Sequence, residues 1–443
     1  MNLLASTSYK SLNPFNIFMC LIYIFFLKYI YINVVAAQDG YRGFNYFFHG
    51  YLFEFFSLIF AILPLKSIEQ NIEKPSTILI YIIYLFIYLP SVSVGINALE
   101  NEFNSALVIF ISIAILYSVI FFNNLLKINL TVKLNFSREI DFKVSIVLLV
   151  SLISFCIYSL QSSNFDLVSL ISNSLYDKRI ELRGIEMGNS LYVYAIIRSF
   201  VLITLLYLLF IWKNFTIRLI LLACVLLILI DQFLTLYIRS HLYLFFFLSL
   251  ILLGAKYEKL NFKNFVLIIL LIVGTCLVLD IFFNTTIFSF TFSRRLFILP
   301  GVISAFYIDY ISNNGTYFIL ERLSEAFNAD EITYLVGTSV YMSQFDFNLN
   351  SNAWIMSYAY IGIVGIFATS FIIGVIMSLI DKVFEQFKVY SYLLVLYFSL
   401  IWVESSLWTS MLTGGIFVCF IFFLILNFST SQSWVRYFSY KKS

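Results

Sequence analysis

Apolar runs of about 18 or more residues recur from one end of this chain to the other, and no other feature limits its fold so tightly. The first is IFMCLIYIFFLKYIYINVV, residues 17–35. A run of this length spans the hydrocarbon of a bilayer as a helix, because a helix satisfies its backbone N–H and C=O groups within one segment. The 443 residues are 61% hydrophobic and only 12% charged, which is too little charge to surface a soluble core. The reading is an all-α polytopic membrane protein, a single integral membrane domain over residues 1–443.

Spans are expected near 14–37, 46–65, 77–96, 105–122, 144–160, 190–211, 219–238, 242–255, 265–283, 354–380, 390–404 and 411–428, twelve in all. The seventh and eighth are divided only by Arg239-Ser240-His241 in TLYIRSHLYLFF. Undivided, they would form one span of 37 residues, too long for a bilayer core of about 30 Å. The N-terminal run carries no A-x-A site and is read as a retained first helix rather than a cleaved signal.

With the N-terminus in the cytoplasm, the cytoplasmic segments hold 17 of the 27 lysines and arginines and the opposite segments hold 8. Lys28 and Arg198 remain inside spans. Both termini are then cytoplasmic. The cytoplasmic positives are mostly lysine, and those on the other side are mostly arginine. Arginine on the outside opposes the insertion bias, and its planar fork suits phosphate or carboxylate. Two outer loops are long, 161–189 and 284–353, the second between spans nine and ten. Long ordered loops tend to carry function.

The second loop opens with FTFSRRLFILPG, residues 290–301, in which Arg294 and Arg295 sit among phenylalanines and leucines. One reading is an interfacial helix with snorkelling arginines; the other is a binding site. Tyr307, Asp309 and Tyr310 follow at near-helical spacing. In YDKRIELRGIEMGNS, Arg179 and Arg183 lie four apart and share a face if the segment is helical, although Asp177, Glu181 and Glu186 stand ready to pair with them. Arg239 and His241 are either a topological stop or a third cationic element. The acids Glu321, Glu325, Asp330 and Glu331 read as a solvated amphipathic helix around 318–328. Arginines gathered from three outer segments suit an anion, and a lipid-linked pyrophosphate is the natural one at this depth.

The five cysteines lie within apolar runs without metal or redox spacing, and His49 and His241 are too few and too far apart for a metal cluster. The chain has no DxD, HExxH, GxSxG or Walker motif, so nucleotide-driven, zinc-protease and serine-hydrolase chemistry are disfavoured. The net charge of +3 points to no nucleic-acid partner.

YDKR at Tyr176–Arg179, RSH after span seven, SRRLFILPG with YIDY beyond it, and NLNSNAWIMSYAYIGIVGI together resemble the Wzy-type oligosaccharide repeat-unit polymerases. The resemblance covers most of the chain and rests on architecture and short motifs. It implies a GT-C-like fold in a bacterial inner membrane. The implied enzyme transfers a growing glycan from undecaprenyl pyrophosphate to a new lipid-linked unit at the periplasmic face, for O-antigen or capsule. No metal or other cofactor is implied. The implied partners are the undecaprenyl-pyrophosphate-linked oligosaccharide, membrane lipid and a chain-length regulator. On this reading Arg179, Arg239, Arg294 and Asp309 are catalytic, and Arg183, Arg295, His241, Tyr307, Asn350 and Asn352 bind pyrophosphate or sugar. Asp309, Asp346 and His241 are the candidate proton acceptors. A repeat-unit flippase is the competing reading, but it should show two similar halves and short loops. An O-antigen ligase is disfavoured because 284–353 contains no histidine.

Overall fold

The computed structural model describes residues 13–39, 43–126, 205–206, 209, 214–236, 261–316, 329–340, 349–383, 388–412 and 416. It is all-helical, 84% helix without strands among the described residues. The helices are α1 (Pro14–Ala36, its last turn π-helical), α2 (Tyr51–Ile62), α3 (Thr77–Ser93), α4 (Glu102–Leu125), α5 (Phe215–Leu236) and α6 (Phe262–Phe283). They are followed by a π-helical segment (Ser289–Ile298), α7 (Leu299–Asn314), α8 (Ala329–Val340), α9 (Ala353–Ile361), α10 (Ile363–Val383) and α11 (Lys388–Glu404). Among the described residues five helices are long and apolar enough to cross a membrane: 14–36, 102–125, 262–283, 292–314 and 363–382. The chain is a multi-pass membrane protein.

The chain divides into two compact units, Met1–Ile128 with Leu250–Lys382 and Val395–Leu407, and Asn129–Ser249 with Val383–Leu394 and Trp408–Ser443. The second contains α5, a continuous apolar helix where span seven was expected. The first contains the bundle described below.

The pillar of that bundle is α3. Residues 76–99 are buried throughout. Three buried tyrosines on α3 satisfy their hydroxyls on backbone carbonyls: Tyr81 donates to Glu69 at 2.6 Å, Tyr84 to Ala61 at 2.8 Å and Tyr88 to Phe60 at 2.6 Å. A phenol buried among apolar side chains must find such a partner. Tyr23 of α1 donates to the carbonyl of Leu85, which lies in the π-helical turn Ile83–Tyr88 of α3.

Contacts along the helices set their directions. Asn16 hydrogen-bonds Gln70, Lys263 sits over the ring of Phe15 at 4.1 Å, and Asn71 bridges Asn261. These define one end of the bundle, the near end. At the far end Gln38 hydrogen-bonds Thr286, and His49 lies 3.0 Å from the carbonyl of Ile96. Thus α1, α3 and α6 run from near to far in parallel, and α2 returns beside α3. An ion pair between Lys28 and Glu54 ties α1 to α2. Lys28, the one lysine expected inside a span, is therefore compensated within the bundle.

Two sequence expectations meet a different structure. Span two is shorter than expected: residues 46–50 are not helical, and α2 gives way to a 3-10 turn at Leu63–Lys66. Span ten breaks at Gly362, which has φ +63° and separates α9 from α10. Of these two only α10 is long enough to cross a membrane. Within 284–353 the chain is helical over Ser289–Asn314, where the interfacial-helix reading and the spacing of Tyr307, Asp309 and Tyr310 point, and over Ala329–Val340; the helix expected around 318–328 lies outside the described residues. The expected spans 144–160 and 242–255, and nearly all of 190–211 and 411–428, lie outside the described residues.

Candidate anion site on a segment that enters and leaves at one end

After α6 the chain turns at Asn284, which takes the left-handed conformation (φ +49°). The carboxylate of Asp280 is 6% exposed and accepts from the backbone N–H groups of Phe288 and Ser289, each at 2.8 Å. It therefore caps the start of the next helical segment, where unsatisfied N–H groups and the helix dipole favour an anion. Among the described residues this buried carboxylate is satisfied by local backbone rather than by a cation.

From Ser289 the chain runs back along α6. Ser289 meets Asp280, and Ser293 sits beside Cys276. It descends until Phe297, fully buried, packs edge-on against Tyr23 at 6.2 Å and tilted against Phe86 at 5.1 Å. Then the direction reverses. Gly301 lies against Pro90 and Ser91, Ala305 against Gly95, and Asp309 against Asn104. So α7 climbs beside α3 toward the far end, whereas the π-helical segment descended from it. The turn falls at Ile298–Pro300, where Ile298 (φ −106°, ψ −52°) leaves ideal helical geometry and proline supplies no N–H. By length and composition 292–314 is long enough to cross. Its contacts instead form a V whose two arms both open at the far end. Phe44 confirms the geometry: it lies 5.5 Å from the Arg294 guanidinium on one arm and 5.5 Å from the Phe306 ring on the other.

The close approach of α7 to α3 depends on two small residues. A Cβ on Gly301 would stand 2.5 Å from the backbone of Pro90 and Ser91. A Cβ on Gly95 would stand 2.9 Å from the carbonyl oxygen of Gly301. Small residues that let backbones touch are the usual device for helix association in lipid, where burial of apolar surface contributes little.

Arg294 and Arg295 ride on the descending arm, both half-buried. The guanidinium of Arg294 lies 4.3 Å from the ring of Phe290 as well as near Phe44, two aromatic faces for one cation. Arg295 is close enough to Glu404, at the end of α11, for its charge to act on that carboxylate. Cations at this depth are costly in lipid and are found facing the interior of a bundle.

The remaining sequence candidates fall into two groups. Tyr307 is fully buried and its hydroxyl donates to the carbonyl of Leu349 at 2.6 Å. Asn352, also fully buried, caps α9 by accepting from the N–H of Ile355 at 3.0 Å and donates to Ser304 at 2.8 Å. Both therefore spend their polar groups on holding α7, the 349–352 stretch and α9 together. Asn350 beside them is exposed. Asp309 is half-buried at the far end, held by Asn104. Arg179, Arg183, Arg239, His241 and Asp346 lie outside the described residues. Sequence reasoning missed Asp280, Asn104 and Glu404, since each looks like an ordinary helix-terminal polar residue until its partner is known. Comparison with protein-family models, with curated proteins and with solved structures finds no match for this chain.

Proposed function

We propose that this chain is a membrane glycosyltransferase that polymerises lipid-linked oligosaccharide repeat units, as its motifs imply. The reading takes the far end of the bundle as the periplasmic face of a bacterial inner membrane. One observation carries it: two arginines enter the bundle interior on a segment that opens, through both of its arms, at that single end. This geometry suits a substrate whose anionic group sits just below a membrane surface and whose tail lies in lipid. An undecaprenyl-pyrophosphate-linked glycan has that form.

In the proposed reaction the acceptor sugar hydroxyl attacks the anomeric carbon of the donor glycan. The bond from that carbon to the pyrophosphate oxygen breaks, and undecaprenyl pyrophosphate leaves. Arg294 and Arg295, with Arg179 and Arg239, stabilise the departing negative charge. Asp309 accepts the proton of the attacking hydroxyl. Each partner is an organic substrate, and the step is balanced without a redox change.

The test is complementation of a strain lacking the chain, with glycan ladder length as the readout. Arg294→Ala, Arg239→Ala and Arg179→Ala are each expected to abolish long ladders at normal expression. Arg294→Lys is expected to rescue poorly, since an ammonium cannot make the forked contact of a guanidinium. Parental ladders from all three alanine variants would refute the assignment.

A further inference from the structure

Asn104 is the third residue of α4 and only 2% exposed, so its amide must be satisfied by neighbours. Both of its polar atoms are. Its Nδ2 donates to Asp309 Oδ1 at 2.5 Å. The Ser312 hydroxyl lies 2.9 Å from its Oδ1 and 2.9 Å from the backbone carbonyl of Asp309. Chemistry fixes which way the amide faces: the nitrogen must meet the carboxylate, and the oxygen must meet the hydroxyl. The contact joins residues 205 apart in the chain.

Asp309 itself is held by one oxygen only. Among the described residues its Oδ2 has no hydrogen-bond partner, and the residue is half-buried at the far end. A hydrogen bond to an ionised carboxylate is short and directional, so it fixes rotation of the group as well as its place.

We propose that Asn104 is a positioning residue for Asp309: it holds Oδ1 so that Oδ2 is the oxygen presented to the acceptor sugar, and Ser312 holds the amide of Asn104 in turn. The proposal rests on the repeat-unit polymerase reading. In the step concerned the hydroxyl proton of the acceptor passes to Oδ2 while its oxygen bonds to the anomeric carbon. The electron pair of the broken bond leaves with undecaprenyl pyrophosphate, and Oδ2 later releases the proton to water. A carboxylate free to rotate spends less time aligned, which lowers the rate of the step rather than the binding of substrate.

The experiment uses the full chain in proteoliposomes with undecaprenyl-pyrophosphate-linked oligosaccharide extracted from a strain lacking the chain. Asn104→Ala is expected to lower kcat about tenfold to a hundredfold with KM little changed, and Asp309→Asn to lower it by about 10²–10⁴. Asp309→Asn keeps an acceptor for Asn104 and so preserves the tie. The deciding measurement is the double variant. Added to Asp309→Asn, Asn104→Ala is expected to change the residual kcat by less than about twofold, because coupled residues are non-additive. An equal loss from Asn104→Ala in both backgrounds would make Asn104 a mere tie and overturn the proposal. Should Asn104→Ala fail to fold, Asn104→Ser keeps a polar group for Ser312 but is too short for Asp309, and carries the same expectations. Full activity of Asp309→Asn beside an inactive Arg294→Ala would refute the positioning role and leave the polymerase reading standing. Absence of polymer from the parental chain would refute both.

Discussion

At the scale of single residues, the bundle holds its buried charged groups in more than one way. Asp280 uses the N–H groups of Phe288 and Ser289. Arg294 rests on two aromatic faces. Lys28 and Glu54 use one another across α1 and α2, with side chains 21% and 12% exposed. Removing one member of such a pair strands the other in a poorly hydrated place, whereas removing both does not. Lys28→Met and Glu54→Gln are therefore each expected to lower the thermal stability of the detergent-purified protein by more than the double variant does. Partial exposure limits each single loss to about 1–3 kcal/mol. Additive losses in the double variant would show that the pair contributes nothing as a pair.

At the scale of elements, the V formed by residues 289–314 is the feature on which the candidate site depends. Its descending arm follows α6 and its rising arm follows α3, and backbone contact at Gly301 holds the rising arm in place. Gly301→Ala forces a Cβ to within 2.5 Å of the backbone of Pro90 and Ser91, neither of which can yield as a side chain would. Overpacking of this kind costs about 1–3 kcal/mol. The expected outcome is a lower unfolding temperature and, on the proposed function, shortened glycan ladders, because displacing α7 moves Asp309 away from Asn104. Unchanged stability in Gly301→Ala would mean that α7 does not pack on α3 as described. Sequence reading found the arginines, Pro300 and the near-helical spacing of Tyr307 and Asp309. It places them all in an outer loop that opens with the stretch holding Arg294 and Arg295. In the structure Arg294 is half-buried there, with the rings of Phe290 and Phe44 against its guanidinium.

At the scale of the molecule, the direction of each helix makes a topological prediction that does not depend on the proposed chemistry. Gln38 and Thr286 meet at the far end, and Asn314 closes α7 at the same end. Asn71 lies at the near end against Asn261. Single cysteines at Thr286 and Asn314, in a background with the five native cysteines replaced, are expected to react with a membrane-impermeant maleimide from the same side. A cysteine at Asn71 is expected to react only after the membrane is opened, or the reverse in inverted vesicles. Labelling of Thr286 and Asn314 from opposite sides would convert the V into a simple crossing and move the arginines to a different depth.

Sequence alone determined the class of this protein and the identity of its unusual charges. Long apolar runs admit only helices in a bilayer, because each buried backbone group must be satisfied within its own segment, and that constraint is local. Arginines that the expected topology places on the outer side likewise stand out by counting. Tertiary structure alone decided that residues 289–314 turn back at Ile298–Pro300 and that α9 parts from α10 at Gly362. It also decided that Asp309 meets Asn104. The physical reason is range. A reversal in direction is defined by what each arm touches, and the partners of this one, on α3, α4 and α6, are distant in the chain from at least one arm.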